Sequence, residues 1–368
     1  MPYNLSFYNT LLKKGILINI LSVMIQFYKP TLKRRDMDSV LQTMVNEKIG
    51  PGERARSFVQ LFCDTINATS GVAFRTYPEC LSQALRLMGA QKGTRVAVSP
   101  LSPSVYRDVI RSVGAEMVMV DINRENGCVD EALIAQSDAD ILLLYENYGT
   151  LPAKYNEQTT FVESCDFSGL KVIEDISESI GSHVKDELCA GSVGQIVVCA
   201  FEEDSVVSAA GGAVMAVRGE YVNALRGRRP SKYLRMPDMN AALGMVQLAN
   251  LADNSEKRRD ILKVFQQSLS KTRYKQFGLN LIDLELNASG FAIQLDSKPD
   301  ETVKFAAKYD VPVQMAFSDC LIKDHEGDPF ETVPVAASFF YRAVGFPLYT
   351  FLRPSEIESI SKVIAHLP

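Results

Sequence analysis

Apolar, β-branched runs alternate with segments of helical periodicity along much of the chain, and this alternation is the strongest constraint on its fold. After residue 70 the runs are RVAVSPL, EMVMVDI, ADILLLYEN, LKVIEDI, QIVVCAF and GGAVMAV. The segments PECLSQALRLMGA and PSVYRDVIRSVGA, each with a glycine near its end, are typical of helices that end in a left-handed cap. Continuous apolar runs separated by helices indicate parallel strands that are buried on both faces. The sequence therefore predicts a three-layer α/β domain with a mostly parallel sheet.

A smaller α+β unit is expected after this domain. A long helical segment, roughly 238–270, follows the last apolar run. Beyond it, GLNLIDLELNASGFAIQLDS predicts two antiparallel strands, ETVKFAAKYDVPVQM a helix and a strand, and PSEIESISKVIAHL a closing helix. A chain of 368 residues is long enough for two domains. We therefore divide it into an N-terminal extension (1–24), a large α/β domain (25–250) and a small C-terminal α+β domain (251–368).

Composition and charge argue against several classes of function. The net charge is −5 and no basic stripe is present, which is unlike a nucleic-acid-binding protein. The three histidines are far apart and the seven cysteines form no CxxC pair, so no metal site built from histidine and cysteine ligands is indicated. The cysteines lie in apolar surroundings, which favours reduced thiols and a cytoplasmic location.

The N-terminal extension contains an apolar segment, GILINILSVMIQF, that follows two lysines. It is too short to span a bilayer, and no small-residue cleavage site follows it. We expect a short amphipathic extension, or a chain whose true first residue is Met24.

Polar residues follow the predicted strands at the points where ligands of parallel α/β sheets bind. One of these strand ends opens the segment CAFEEDSVVSAAGG, in which three acids, Glu202, Glu203 and Asp204, precede Ser205. The other strand ends carry Ser99–Ser102, Glu146–Tyr148 and Glu174–Ser177. The sequence predicts that a ligand would sit beyond these four ends.

Five segments, in order, resemble one known family. VIEDISESIGS resembles its viEDaaqaiGa element, GSVGQIVVCAF its GslGdiavfSF element, and RMPDMNAALGMVQLANLADNSEKRR its RmselqAAlglvQLkkldeiiekRr element. IQFYKPTLKRRDMDSVLQTM and GFPLYTFLRPSEIESISKVI resemble its opening and closing segments. From about residue 25 to its end the chain is thus similar to the DegT/DnrJ/StrS aminotransferases, which are pyridoxal-phosphate (PLP) enzymes that aminate nucleotide-linked keto-sugars. The resemblance implies the PLP-transferase fold of type I and a homodimer.

The resemblance places Ser205 where the family has the lysine that forms a Schiff base with PLP. A serine hydroxyl cannot form an imine, and the loop is also about one residue short before Gly211. The acids Glu202, Glu203 and Asp204 would face the cofactor phosphate, and like charges a few ångströms apart repel by about 1 kcal/mol or more each. We therefore expect no PLP, although PLP is the cofactor if the family function survives.

The phosphate contacts of the family are also replaced. Its SGTaAL turn corresponds to TYPECL, which begins Thr76–Tyr77, and Pro78 has no N–H to donate. The serine of its SF pair corresponds to Ala200, and the asparagine that crosses its dimer corresponds to Tyr233. The aromatic residue that stacks on the pyridine ring corresponds to Pro103.

One cofactor position agrees with the family. Asp175 stands where the family has the aspartate that pairs with the pyridine nitrogen. A strand-end aspartate that caps a turn or helix explains the same residue without a cofactor. Glu146 and Tyr148 lie in a turn that resembles the family's hlyG element, and we expect them to shape the floor of the pocket.

These observations favour a non-catalytic homologue without PLP, which binds a nucleotide sugar or assists an active paralogue in polysaccharide biosynthesis. Two alternatives stay open. One is an active PLP or pyridoxamine-phosphate enzyme, an aminotransferase or a dehydratase, with an atypical site. The other is an enzyme without PLP that uses Glu202, Glu203, Asp204 and Asp175 to bind a divalent cation or to share a proton.

Overall fold

The computed structural model describes residues 25–156, 161–167, 169–184, 188–228, 230–278 and 284–368, so the predicted extension, 1–24, lies outside the described residues. The helices are α1 (Arg34–Val45), α2 (Glu53–Thr65), α3 (Tyr77–Leu87), α4 (Val105–Ser112), α5 (Glu131–Ala135), α6 (Tyr221–Arg226), α7 (Asp238–Ala249), α8 (Leu251–Leu269), α9 (Asp300–Ala307), α10 (Pro329–Thr332), α11 (Pro334–Arg342) and α12 (Pro354–Ala365). The strands are β1 (Ser70–Phe74), β2 (Arg95–Val98), β3 (Glu116–Met119), β4 (Ile141–Tyr145), β5 (Ala153–Asn156), β6 (Phe161–Ser164), β7 (Lys171–Asp175), β8 (His183–Val184), β9 (Leu188–Cys189), β10 (Ile196–Ala200), β11 (Ala213–Val217), β12 (Lys275–Gln276), β13 (Leu284–Glu285), β14 (Phe291–Gln294), β15 (Gln314–Met315) and β16 (Ala343–Phe346).

The predicted α/β sheet is confirmed. Seven strands pair in the order β1-β11-β10-β7-β4-β2-β3, and the five strands from β10 to β3 are parallel. β11 runs antiparallel to both of its neighbours. Every residue of β4, β10 and β11 is buried, as the continuous apolar runs require. The carboxyl ends of β10, β7 and β4 therefore lie side by side at one edge of the sheet.

Two apolar clusters cover the two faces of this sheet. On one face α3 and α4 bring Leu81, Leu85 and Tyr106 against the strands. On the other face α2 contributes Phe58, whose ring centroid lies 4.9 Å from that of Phe201 in the loop after β10. The sheet is thus the middle layer of the predicted three-layer arrangement.

The C-terminal part contains the predicted antiparallel α+β structure, with two differences. The strands pair in the order β12-β14-β16-β15, and β13 pairs with β8 instead of forming a hairpin with β14. Phe291 of β14 packs on Phe265 of α8 with ring centroids 5.6 Å apart, which places β14 in the middle of the small sheet. The expected long helix divides at Asn250 into α7 and α8. The domain boundary drawn there stays a prediction.

No helix within the described ranges is long and apolar enough to cross a membrane.

Candidate functional site

Asp175 is the centre of a closed hydrogen-bond cluster at the carboxyl end of β7. Its side chain is fully buried. The hydroxyls of Tyr77 and Tyr106 both donate to Oδ2, the latter at 2.7 Å. Oδ1 accepts the backbone N–H of Ser177 at 3.1 Å and the Ser177 hydroxyl. Both carboxyl oxygens are therefore occupied by groups of the chain itself.

The two helices that follow β1 and β2 deliver the tyrosines. α3 begins at Tyr77 and α4 carries Tyr106, and both helices pack on the same face of the sheet. From the sequence, Tyr77 was identified only as a replaced phosphate contact, and Tyr106 was not identified at all. The sequence does contain a signal for the role of Tyr77, because this tyrosine stands where the family turn SGTaAL has a glycine.

Burial controls the protonation of this cluster. It raises the pKa of the Asp175 carboxyl, while the hydrogen bonds from Ser177, Tyr77 and Tyr106 lower it. Burial also raises the pKa of both tyrosines well above the usual value, with a further contribution from the charge of Asp175. The two phenols therefore stay protonated and act as donors to the carboxyl group.

PLP needs an amine for the Schiff base, an acceptor for its ring nitrogen and donors for its phosphate. Here Ser205 supplies a hydroxyl, and the acceptors of Asp175 are already taken. The backbone N–H of Ala200 donates to the Ser177 hydroxyl at 2.9 Å, and Pro78 is the second residue of α3. These residues do not fit the cofactor as the family resemblance places it.

Neither of the two lysines nearest to the site in sequence is shown to supply the amine that PLP needs. Lys171 begins β7, and its amine donates to the carbonyl of Met88 at 3.0 Å, a whole strand away from Asp175. Lys185 lies outside the described residues.

The acidic loop after β10 is exposed at Glu202, Glu203 and Asp204, and Ser205 is half-buried. Partial burial and, second, the charge of Asp204 raise the pKa of Glu202. No group of three or more His, Cys, Asp or Glu side chains in the described ranges is arranged to hold a metal ion. The divalent-cation alternative therefore gains no support from these residues.

Glu146, which we expected at the pocket floor, is fully buried and points into the protein. It accepts a hydrogen bond from the Ser179 hydroxyl, and burial and, second, the charge of Glu174 raise its pKa well above the usual value. Glu174 is also fully buried, and three backbone N–H groups donate to it: those of Gly191 at 2.6 Å, Val193 at 2.8 Å and Gly194 at 2.6 Å. Glu146 is therefore protonated, and Glu174 beside it accepts three backbone N–H groups. Both side chains stabilise the fold and do not face a ligand.

Tyr148, in the turn that follows β4, contacts both the large sheet region and the C-terminal part of the chain. Its backbone is left-handed, with φ 55°, and its N–H donates to Oε2 of Glu178 at 2.6 Å. Its hydroxyl donates to the carbonyl of Ala316 at 2.7 Å. The sequence analysis did not single out Glu178, which is only partly buried and lies three residues after Asp175.

The remaining predicted positions lie outside the Asp175 cluster. Thr76 is exposed, and Tyr233 is 73% exposed. Pro103 forms an isolated bridge with Cys320 of the C-terminal part.

The electrostatic surroundings of Glu178 differ from those of Asp175 and of the neighbouring acids Glu146 and Glu174. Burial, together with the charges of Asp204 and Asp175, raises its pKa to about 7, although the hydrogen bond from the Tyr148 N–H and the interaction with the Tyr145 side chain lower it. With this pKa the carboxyl is partly protonated at neutral pH, which is uncommon for a glutamate.

We expect the stability of the wild type, measured against Glu178→Gln, to fall as the pH rises from about 4.5 to about 7. The folded carboxyl holds its proton more tightly than the unfolded one, so its contribution is complete below the unfolded pKa and is lost through the folded pKa. The difference should be on the order of 2–3 kcal/mol. Urea unfolding of both proteins at several pH values measures it. A constant difference across this range would contradict the raised pKa.

Comparison with known proteins gives one family and many related structures. The model of the DegT/DnrJ/EryC1/StrS aminotransferase family matches residues 30–365. A dTDP-4-dehydro-2,3,6-trideoxy-D-glucose 4-aminotransferase from Saccharopolyspora spinosa is 25% identical over 280 residues, which cover 67% of this chain and 71% of that protein.

Two solved structures show the same fold. A putative sugar aminotransferase from Streptococcus pneumoniae, in its PLP form, superimposes with a TM-score of 0.81 at 19% identity, covering 93% of this chain and 98% of that one. A GDP-4-keto-6-deoxymannose-3-dehydratase mutant with bound GDP-perosamine gives a TM-score of 0.78 at 14% identity, with 92% and 99% covered.

Proposed function

We propose, from the premise that the chain belongs to the DegT/DnrJ/EryC1/StrS aminotransferase family, that it serves nucleotide-sugar metabolism as a homologue that does not hold PLP. The observation that carries this proposal is the occupied Asp175. In place of a pyridine nitrogen, the hydroxyls of Tyr77 and Tyr106 bond to its Oδ2. To admit a cofactor ring, the chain would have to expel a buried phenol and break hydrogen bonds to a buried carboxyl group.

Ser205 supports the same proposal independently. The family resemblance aligns it with the lysine that every Schiff-base enzyme needs, and its hydroxyl has no chemistry that replaces an amine. Asp204 and Glu203, exposed beside it, make the loop unfavourable for a phosphate. The ligand we propose is therefore a nucleotide sugar without the cofactor.

A second candidate is an active PLP- or pyridoxamine-phosphate-dependent enzyme with an atypical site. The relatives favour it, because one of them is named as an aminotransferase of a dTDP-linked 4-dehydro sugar and another as a dehydratase of a GDP-linked keto-sugar. The two candidates differ in whether the site holds the cofactor, and an aminotransferase of the usual kind needs in addition a lysine of this chain that reaches the cofactor aldehyde.

The proposal includes a cytoplasmic homodimer, or a pair with an active paralogue. All seven cysteines are free thiols, and six of them are buried, which suits a reducing compartment. α1 exposes Met37, Leu41, Met44 and Val45, and Ile49 follows. These residues recur at helical spacing and leave an apolar face uncovered, which suits a second subunit.

We expect the purified protein, mixed with excess PLP and treated with borohydride, to show no covalently fixed cofactor after desalting. The site offers no amine and no free acceptor for the ring nitrogen. Absorbance spectra before and after borohydride, with an active family member as positive control, measure this. Cofactor that stays bound after desalting, or a single stoichiometric PLP–lysine adduct when borohydride is added only after desalting, would establish the second candidate instead.

A further inference from the structure

A cavity of about 300 Å³ lies at the outer edge of the large sheet, between β1 and α2. β1 is the last strand of that sheet, so one of its edges has no neighbouring strand. Residues 69–73 form one wall of the cavity, and one side of α2 forms the opposite wall. Neither Asp175 nor any of the groups bonded to it lines this cavity. The cavity is therefore separate from the candidate site described above.

The outer edge of β1 is covered by the chain at one end only. The Arg75 N–H donates to the carbonyl of Leu234 at 2.7 Å, and the Met236 N–H donates to the carbonyl of Ala73 at 3.1 Å. The chain then enters α7, so this pairing stops at Ala73. The cavity lies where the pairing stops, and Arg235 lines it at that end.

The guanidinium of Arg235 has no partner within the ranges that the structure describes. Its Nε is enclosed without a hydrogen-bond partner, and none of the ion pairs among these residues includes this arginine. The residue as a whole is half-buried, so a ligand in the cavity can reach its terminal nitrogens. A guanidinium that is partly withdrawn from water needs an acceptor. We therefore expect an acceptor from outside these residues to complete it.

The walls of the cavity are fixed by Asp238, the first residue of α7. Its carboxylate accepts the backbone N–H groups of Gly52 at 2.7 Å, Ala55 at 2.9 Å and Arg54 at 3.2 Å. These bonds hold the start of α2 against α7 and use the N–H groups that a helix otherwise offers to a phosphate. The cavity is therefore formed before any ligand arrives, and a phosphate would meet a carboxylate at this helix end.

The rest of the lining favours an organic acid. Arg56, at the mouth, adds a second guanidinium: its side chain is 64% exposed, and its ion pair with Glu53 is long, at 3.9 Å. Most other lining residues are small or apolar, and they include Val59 and Val72. A carboxylate accepts two parallel hydrogen bonds from the planar fork of an arginine, and apolar walls suit an aliphatic body.

We propose that this cavity binds a small organic carboxylate with a short aliphatic body, held by Arg235 and, at the mouth, by Arg56. The binding is non-covalent and reversible. The inference goes beyond the proposed function and does not depend on it, because the cavity shares no residue with the Asp175 cluster.

The test uses hexanoate as the probe and hexanamide as its uncharged counterpart, each titrated into the whole chain and followed by ligand-observed NMR. We expect hexanoate to bind, and hexanamide to bind about tenfold more weakly or less. Arg235→Leu should weaken hexanoate binding about tenfold or more, and Arg235→Lys should weaken it less, because lysine keeps the charge but loses the fork. Arg34→Leu, at a side chain that is 90% exposed on α1, is the matched control and should bind as the wild type does.

A tryptophan placed in the wall locates the bound probe, because the chain has no tryptophan of its own. Gln60 is exposed and lines the cavity, whereas Thr65 is exposed on the same helix and does not line it. We expect hexanoate to change the fluorescence of Gln60→Trp but not that of Thr65→Trp. Neither side chain is in the core, so these two variants test the inference even if Arg235→Leu does not fold.

Several results would overturn the inference. Equal binding of hexanoate and hexanamide would show that the carboxylate is not recognised, and displacement of hexanoate by an equal concentration of inorganic phosphate would exclude a site for organic acids. A folded Arg235→Leu variant that binds hexanoate as tightly as the wild type would remove the role of this arginine. If the wild type binds no hexanoate, the inference fails, and a loss of dimer in Arg235→Leu, measured by sedimentation velocity, would assign the guanidinium to a contact between subunits instead.

Discussion

Glu174→Ala should lower the free energy of unfolding by about 4 kcal/mol. The wild-type carboxyl accepts the backbone N–H groups of Gly191, Val193 and Gly194, all within 2.8 Å. Alanine would leave three buried donors without a partner, and each such donor costs about 1–3 kcal/mol. Loss of the buried charge next to Glu146 offsets part of this cost. Urea unfolding followed by circular dichroism measures the change.

Two variants serve as controls for this prediction. Glu174→Gln keeps one acceptor oxygen but turns an amide toward the N–H donors, so we expect a loss of about 2 kcal/mol. Glu203→Ala removes an exposed acid and should change stability by less than about 0.5 kcal/mol. A Glu174→Ala protein as stable as Glu203→Ala would show that the loop 191–194 is held by something other than this carboxyl group.

Arg258→Ala should be the other large loss, about 3–5 kcal/mol. Arg258 is 2% exposed and extends from α8 toward two loops of the C-terminal part. Its guanidinium donates to the carbonyls of Ala288 at 3.2 Å and Leu348 at 3.0 Å, and to Oδ1 of Asn254 at 3.2 Å. Removal leaves these acceptors buried and unsatisfied.

Arg258→Lys tests whether geometry or charge matters at this position. Lysine keeps the positive charge but cannot reach several carbonyls with a planar fork, so we expect a loss between those of alanine and wild type. Burial lowers the pKa of Arg258 to about 10, and the same burial would lower that of a lysine too. Lys263→Ala, at a mostly exposed position of the same helix, is the matched control and should be near neutral. Equal losses for Arg258→Ala and Lys263→Ala would contradict the assignment.

The sheet could be predicted because burial on both faces leaves a strong signal in the sequence. β4, β7, β10 and β11 coincide with the apolar runs, since a strand covered by helices has no polar side to show. The pairing of β13 with β8 could not be predicted, because each strand has only two residues and carries no periodicity of its own.

The family resemblance pointed to Asp175 and Ser205 as site residues, which stays a prediction. The tyrosines that bond to Asp175 could not be predicted, because they come from α3 and α4, 98 and 69 residues earlier in the chain. Such contacts depend on tertiary packing and leave no local pattern. Glu178 could not be identified from the sequence for the same reason. Its raised pKa comes from burial and from the charge of Asp204 on a different loop.

The bonds from Tyr77 and Tyr106 to Asp175 have a consequence for how the protein matures in the cell. An enzyme whose aspartate binds a vitamin B6 derivative gains stability that rises with the logarithm of the concentration of that cofactor. On the proposal that this chain holds no PLP, Tyr77 and Tyr106 are supplied by the chain itself and folding alone completes the site. Cells starved of vitamin B6 should therefore accumulate this protein at the same level as well-fed cells, while cofactor-dependent relatives decline.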